Sequence, residues 1–315
     1  MQGFLGALPG AVSQGLIWGI LAVGVYITYQ ILDIADLTVD GSVCTGAAVF
    51  VVLFTGGANV WAAMLAAFGA GLLAGLATGL LHVLCGIPAI LAGILTQLGL
   101  WSVNLVIMGM SANLSINVID KTVLDRLLVS LRFVQDVAKG SRPIWRHPIL
   151  VVGLMTLVLI LVLYWFFGTE LGSALRATGS NGSMARAQGI NTGFTTVLGL
   201  MLSNGLVALA GALLAQYQSF ADINMGRGAI VIGLAAVIIG QVLFGRLLRN
   251  FGLRLAAVSL GAILYYIVIQ GVLELGLNSN YLKLLSAVVV ALFLAVPHWK
   301  SRYLPGTVKG GARRA

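Results

Sequence analysis

PILVVGLMTLVLILVLYWFF (Pro148–Phe167) carries no charged residue from end to end. A helix of about 20 apolar residues rises roughly 30 Å, enough to cross the hydrocarbon core of a bilayer. Comparable runs lie on both sides of it, near Ala11–Leu32, Val39–Thr55, Val60–Cys85, Ile87–Met108, Phe194–Tyr217, Ile230–Phe244, Leu253–Leu273 and Leu282–Val296. The composition agrees, with 59% hydrophobic residues, 9% charged and a mean hydropathy of +1.03. A soluble domain carries roughly 25% charged residues, so that class is excluded. A β-barrel would show alternating segments of about ten residues instead of long apolar runs. The expectation is an all-α polytopic membrane protein with about nine transmembrane helices, eight to ten. The fourth run reads equally as a re-entrant segment, and the second is short and opens on polar residues.

The formal charge of +9 is not a nucleic-acid signal. No Lys or Arg precedes Lys121, and the cations sit in connections and in the C-terminal tail. RLLRNFGLR (Arg246–Arg254) and HWKSRYLPGTVKGGARRA (His298–Ala315) fall on one side of the spans, which the positive-inside rule makes cytoplasmic. Counting back puts Thr169–Asn191 on the cytoplasmic side and the N-terminus outside. MQGFLGALPGAVSQG lacks the basic start of a signal peptide, so the first run is expected to be retained as a span. Cys44 and Cys85 lie in apolar surroundings without ligand spacing and read as small buried side chains.

Upstream of the opening stretch, Met110–His147 would be extracytoplasmic. It holds six of the eighteen basic residues against Asp120, Asp125 and Asp136. VLDRLLVSLRFVQDVAK within it has apolar positions at helical spacing and reads as one amphipathic helix on the bilayer surface.

An internal repeat organises the rest. ADLTVDGSVCTGAAV (Ala35–Val49) precedes the second run and ADINMGRGAIVIGLAAV (Ala221–Val237) the seventh. Aligning Ala35–Asp36 with Ala221–Asp222, with one residue inserted, brings Gly41 onto Gly228 and Gly46 onto Gly233. Five intervening spans make the halves oppositely oriented, a recurrent transporter design with its path at the repeat interface. The segmentation is then a first repeat of four helices over 10–109, an amphipathic segment over 110–147 and a linking span over 148–168. A cytoplasmic segment over 169–193, a second four-helix repeat over 194–297 and a basic tail over 298–315 complete it. Gly71, Gly75 and Gly79 recur at helical spacing and predict close packing of the third span on a neighbour.

Ionisable and amide groups within spans are candidates for the path, because burying them unpaired is costly. Asp36, Thr38, Asp40 and Ser42 stand at the start of the second run, where capping of that helix and contact with cargo are both open readings. Asp222 and Asn224 are their counterparts in the second half. Thr96, Gln97 and Asn104 in the fourth run, and Asn204, Gln216 and Gln218 around the sixth, complete the set. For these, interhelical hydrogen bonding is the alternative. His82 reads as a lone hydrogen-bonded histidine, and no spacing suggests a metal site. The six tryptophans, Trp18, Trp61, Trp101, Trp145, Trp165 and Trp299, mostly fall near span ends and read as interfacial anchors.

TELGSALRATGSNGSMARAQGINTG (Thr169–Gly193) directly follows the opening stretch. It reads as a short helix between glycine joints, with Arg176 and Arg186 turned to solvent or to a partner. Its pattern LRATG-x-N-x-x-x-A-R-A-x-G-I-N-T resembles the coupling segment of ABC importer permeases of the branched-chain amino acid and simple-sugar group. Leu202–Gly240, Tyr26–Val49 and Pro88–Ile116 resemble the subfamily of tryptophan/tyrosine ABC permeases, so the similarity spans nearly the whole chain. The pattern departs at Ser180 and Gly182, where acidic residues flank the asparagine in the family, and this removes negative charge from the contact surface.

The resemblance implies a membrane subunit in a bacterial cytoplasmic membrane that passes a small solute, an amino acid of the aromatic or another class, inward. Arg176, Gly179, Asn181, Met184, Arg186, Gly189 and Asn191 would form the coupling surface. A second permease copy, a dimer of cytoplasmic ABC ATPase subunits and an extracytoplasmic binding protein are the implied partners. ATP and Mg belong to the ATPase, since no G-x-x-x-x-G-K-[ST] occurs here and no catalytic arrangement is legible. A stand-alone secondary transporter or channel is the alternative that the repeat alone would satisfy, although the acids cluster at span ends. A non-transporting scaffold or sensor fits less well.

Overall fold

The computed structural model describes residues 2–245 and 250–274, with isolated positions between 284 and 295. The ninth apolar run falls largely outside the described residues, as do Arg246–Arg249 and the basic tail with Trp299. The molecule is a helical bundle. Its first half comprises α1 (Gln2–Tyr26) with a π turn (Ile27–Ile31), α2 (Val39–Thr55), α3 (Val60–Val83) and α4 (Ala89–Ile107). The short helices α5 (Lys121–Arg126) and α6 (Leu131–Ala138) lead to α7 (Pro148–Gly168), and then α8 (Glu170–Ser180) and α9 (Gly182–Ala187). The second half has α10 (Thr192–Gln218), α11 (Ala229–Phe244) and α12 (Phe251–Glu274). Six of these helices are long and apolar enough to cross a membrane, and α2 and α11 are shorter apolar helices. The fourth run forms one continuous helix, long and apolar enough to cross a membrane.

A helix apolar on every face belongs inside a bundle or in lipid, and both cases occur. α10 is buried along most of its length, whereas α7 turns Leu150, Leu154, Leu157, Leu161 and Trp165 outward. Small residues decide which neighbours approach α10. A Cβ on Gly71 or Gly75 would run into the backbone of Asn204 or Leu200, and one on Gly79 would meet Val197. The expected stripe therefore packs α3 on α10. Gly46 of α2 lies on the Ala208 backbone, and Gly211 of α10 lies on that of Val43. α1 makes the matching contact with α12 through Gly15 and Gly19, which lie against Ile263 and Ser259.

α1 and α10 run antiparallel through the centre. Ser203 Oγ donates to Gly24 O at 2.8 Å near the middle, and Tyr217 OH donates to Gly10 O at 3.1 Å near one end. That end also carries a small antiparallel ribbon, β1 (Asn113–Ser115) with β2 (Phe220–Asp222), registering Leu114 opposite Ala221. The all-α expectation thus gains one short ribbon.

The expected amphipathic helix is broken. Its middle, Leu127–Ser130, leaves helical geometry because Leu127, Val129 and Ser130 are buried, Leu128 N–H donates to Gln216 Oε1 at 3.2 Å, and Ser130 caps α6. The segment packs on protein. Its arginines are tied down locally: Arg126 donates to Gly57 O and Ala58 O at 2.9 Å each, and Arg132 donates to Val118 O. Arg142 bridges Asp125 at 2.7 Å and Asp136 at 3.3 Å over the Phe133 ring.

Two smaller expectations change. Cys44 is buried but Cys85 is exposed. Trp61, Trp101, Trp145 and Trp165 are exposed as anchors would be, whereas Trp18 is 7% exposed within the bundle.

Candidate functional site

The two aspartate-bearing segments fold alike. The chain leaves the π turn of α1 through Asp33 at φ 57° and leaves α10 through Ser219 at φ 67°. Left-handed non-glycine residues are uncommon, yet each of these stands three positions before an aligned aspartate. Asp36 Oδ1 then accepts from Thr38 N–H at 2.9 Å, and Asp222 Oδ1 accepts from Asn224 N–H at 2.7 Å. Both are turns closed by an aspartate side chain on the backbone two residues ahead.

Four of the sequence candidates come together in the core. Asn204 Nδ2 donates to Asp36 Oδ2 at 2.6 Å and to Leu200 O at 3.0 Å, while its Oδ1 accepts from Ser42 Oγ at 2.6 Å. Thr38 Oγ1 lies 2.7 Å from Thr78 Oγ1 on α3. Asp36 is 2% exposed and Asn204 fully buried, so water does not share these bonds. The group clasps α2 and its lead-in to α3 and α10. Buried polar groups need such partners, and these have turned to one another.

Asp40 has a different role from the one its position suggests. Of the two open readings, capping describes its contacts, but the helix it caps is α11. Asp40 Oδ2 accepts from Gly228 N–H at 2.9 Å and Oδ1 from Ile230 N–H at 3.0 Å. A carboxylate at a helix start satisfies orphan N–H groups and complements the positive end of the dipole. The N-termini of α2 and α11 therefore meet. Gly226 fits there because a Cβ would strike Asp40 O, and Cys44 Sγ sits 3.2 Å from Gly226 N and 3.3 Å from Ile223 O.

The remaining path candidates lie elsewhere. Asn104 Nδ2 donates to Gly41 O at 3.4 Å, and its Oδ1 is buried without a partner among the described residues. Gln97 shares that face of α4, beside Gly41, while Thr96 bonds back to Ala92 O. Gln216 receives Leu128 N–H and keeps a buried Nε2 with no partner among the described residues. Gln218 is half-buried, Asp222 ends the ribbon, where Asn113 Nδ2 donates to Asp222 Oδ2 at 3.4 Å, and Asn224 stands in the turn that follows. His82 Nδ1 lies 2.7 Å from Ile87 O, a local bond as expected.

The segment after α7 is two helices, not one. Thr169 caps α8. Asn181 breaks the pair and caps α9, its Oδ1 accepting from Met184 N–H at 3.0 Å, and Asn191 caps α10 through Phe194 N–H at 3.1 Å. Gly189, at φ 83°, turns the chain between them. Gly179 lies directly on the Ile31 carbonyl of the π turn, where no Cβ would fit. Both arginines are exposed, as expected, but Arg176 is also held by the bundle. Arg176 Nη2 donates to Phe167 O at 2.9 Å, with its guanidinium 5.8 Å from the Phe251 ring, so it ties α8 to α7 and α12. Arg186 and Met184 are exposed on α9, and Arg186 has no ion-pair partner among the described residues.

A cavity of about 460 Å³ opens between α1, the start of α11 and α12. Trp18, Tyr265, Tyr266 and Ile269 form its walls, and Gln14, Gln270 and Arg227 also line it. Sequence reasoning missed Arg227 and assigned Trp18 to the interface. The signal was present: in the repeat alignment Arg227 stands at the position of Asp40, a charge beside the start of a short apolar helix.

Such outward apolar surfaces, wrapped round a buried polar clasp, belong to a multi-pass integral membrane protein. The chain belongs to the family described as branched-chain amino acid transport system / permease component, whose model matches residues 8–297. It is a membrane permease component of an ABC-type transport system. It is 37% identical to a tyrosine transport system permease protein of Clostridioides difficile over 291 residues, covering 92% of this chain and 91% of that one. An uncharacterized protein of Rickettsia prowazekii is 34% identical over 295 residues, covering 90% and 95%. A ribose import permease protein of Escherichia coli is 29% identical over 149 residues, covering 47% of this chain and 45% of that one. No solved structure gives a significant match.

Proposed function

We propose that this chain is the membrane-spanning subunit of an ATP-driven importer in a bacterial cytoplasmic membrane. Two copies would form the path, a dimer of ABC ATPase subunits carrying ATP and Mg would dock beneath α8 and α9, and an extracytoplasmic binding protein would deliver solute. The observation that carries this reading is the α8–α9 pair. α9 presents Met184 and Arg186 outward, while α8 is held to the bundle by Arg176 and by Gly179 on Ile31. A push on α9 is thereby delivered to the end of α1 and, five residues further on, to Asp36. Alternating access needs two packings of the spans, and the Asp36–Asn204 clasp is a junction where they would differ.

The inverted repeat supports the same reading. Left-handed exits at Asp33 and Ser219, paired aspartate turns and two short helices joined at their N-termini match broken helices entering from opposite sides. The domain division at 10–109, 110–147, 148–168, 169–193, 194–297 and 298–315 follows from it, with α8 and α9 cytoplasmic and the ribbon extracytoplasmic. The cargo class is an amino acid, for which the tyrosine permease relative is the support.

The experiment is a tagged purification in mild detergent, with mass spectrometry of what co-purifies and an ATPase assay. A stoichiometric ATPase whose activity rises with a binding protein is the expected result. Complex-free protein that carries solute in liposomes without ATP would replace this reading with a secondary transporter.

A further inference from the structure

We propose that the cavity between α1, α11 and α12 is a ligand site for a small organic carboxylate whose flat apolar body ends in a hydrogen-bond acceptor. The cavity of about 460 Å³ falls within the size range of small-molecule sites, and its walls are aromatic and aliphatic. Two groups in it lack partners among the described residues. Trp18 lies on the wall, its ring centroid 5.8 Å from that of Tyr266, and its Nε1 is buried with no acceptor among them. An indole N–H only donates, so a ligand that fills the cavity must bring an acceptor to it. Arg227 is exposed, lines the same cavity, and has no ion-pair partner among the described residues. A guanidinium pairs with a carboxylate in a two-pronged geometry.

The charge pattern selects the sign of the ligand. Asp40 is engaged with Gly228 and Ile230 N–H, and no Asp or Glu lines the cavity among the described residues. The uncharged polar side chains that line it, Gln14, Tyr265, Tyr266 and Gln270, offer an ammonium neutral oxygens and no countercharge. Binding here requires neither the ATPase nor a binding protein, so it is testable apart from the importer assignment.

The experiment uses the purified full chain in nanodiscs, titrated calorimetrically with 4-hydroxyphenylacetate, phenylacetate and tyramine. The first supplies both a carboxylate and a terminal acceptor, the second lacks the acceptor, and the third replaces the carboxylate with an ammonium. The expected order is 4-hydroxyphenylacetate tightest, phenylacetate weaker by roughly three- to tenfold, and no measurable binding of tyramine. Arg227→Gln should weaken 4-hydroxyphenylacetate by about tenfold or more. Trp18→Phe should reduce its affinity to that of phenylacetate and leave phenylacetate unchanged. Arg227 is exposed, so its variant keeps the test intact if Trp18→Phe does not fold. Absence of binding, tyramine binding as tightly as the carboxylates, or affinity indifferent to Arg227→Gln would overturn the proposal. So would native mass spectrometry showing a phospholipid held through Arg227 that the probe does not displace, which would assign the cavity to lipid.

Discussion

The Asp36 carboxylate and the Asn204 amide, 168 residues apart in the chain, lie 2.6 Å from each other in the middle of the bundle. Asp36→Ala should leave Asn204 Nδ2 and Thr38 N–H short of an acceptor, at a cost of about 1–3 kcal/mol. Asp36→Asn keeps one of the two bonds and should lose less. Thermal unfolding of the detergent-solubilised protein, followed by size-exclusion chromatography, ranks the two. Equal melting curves for wild type and Asp36→Ala would remove the clasp from the account.

Asp40→Ala should strip the start of α11 of its cap and cost about 0.5–2 kcal/mol. The damage should appear in α11, although the substitution is in α2. Hydrogen exchange of the Gly228 and Ile230 amides reads this directly, and faster exchange confined to α2 would contradict it.

Gly75→Leu should prevent the approach of α3 to α10, because the obstacle is the Leu200–Met201 backbone and not the end of a flexible side chain. Overpacking commonly costs about 1–3 kcal/mol, and rigid backbone places this case at or above the upper end. Gly69→Leu, where a Cβ meets nothing, is the control expected to leave yield and monodispersity unchanged.

The arginines of α8 and α9 should separate. Arg186→Glu should reduce uptake and stimulated ATPase activity with stability altered by less than about 0.5 kcal/mol. Arg176→Gln should lower the melting temperature, because it loses the bond to Phe167 O and the contact with Phe251. Normal uptake by Arg186→Glu in proteoliposomes would argue against α9 as the docking surface.

His147 caps α7, its Nδ1 accepting from Ile149 N–H at 3.2 Å, and partial burial lowers its pKa from the ordinary 6.5. The neutral ring is the form that accepts, so its contribution is present above pH 6.5 and is lost as pH falls through the lower folded value. His147→Asn retains a capping oxygen and should flatten this part of the stability profile on the acid side of neutrality.

The spans were legible because apolar runs are local, and the glycine stripe on α3 was legible because its spacing is. What the sequence could not supply was partners. Capping was an open reading for Asp40, but nothing local reveals that it serves a helix 188 residues away. Arg176 and Arg186 look alike in a motif and both are exposed, and only the folded position of Phe167 separates the anchored cation from the one without an ion-pair partner among the described residues. Trp18 counted as interfacial from its distance to a span end, a measure that does not see α12. The break at Leu127–Ser130 was hidden by an unbroken apolar period, since burial of Leu127 and Val129 on the bundle overrides the local helix.

The cap that Asp40 places on α11 also bears on biogenesis. α11 emerges from the ribosome long after α2, and its first turn has no acceptor of its own at Gly228 or Ile230. It can complete that turn only on a first half already seated in the membrane. Insertion would then be ordered from the N-terminus, and a second half synthesised alone would present an unfinished helix to quality control.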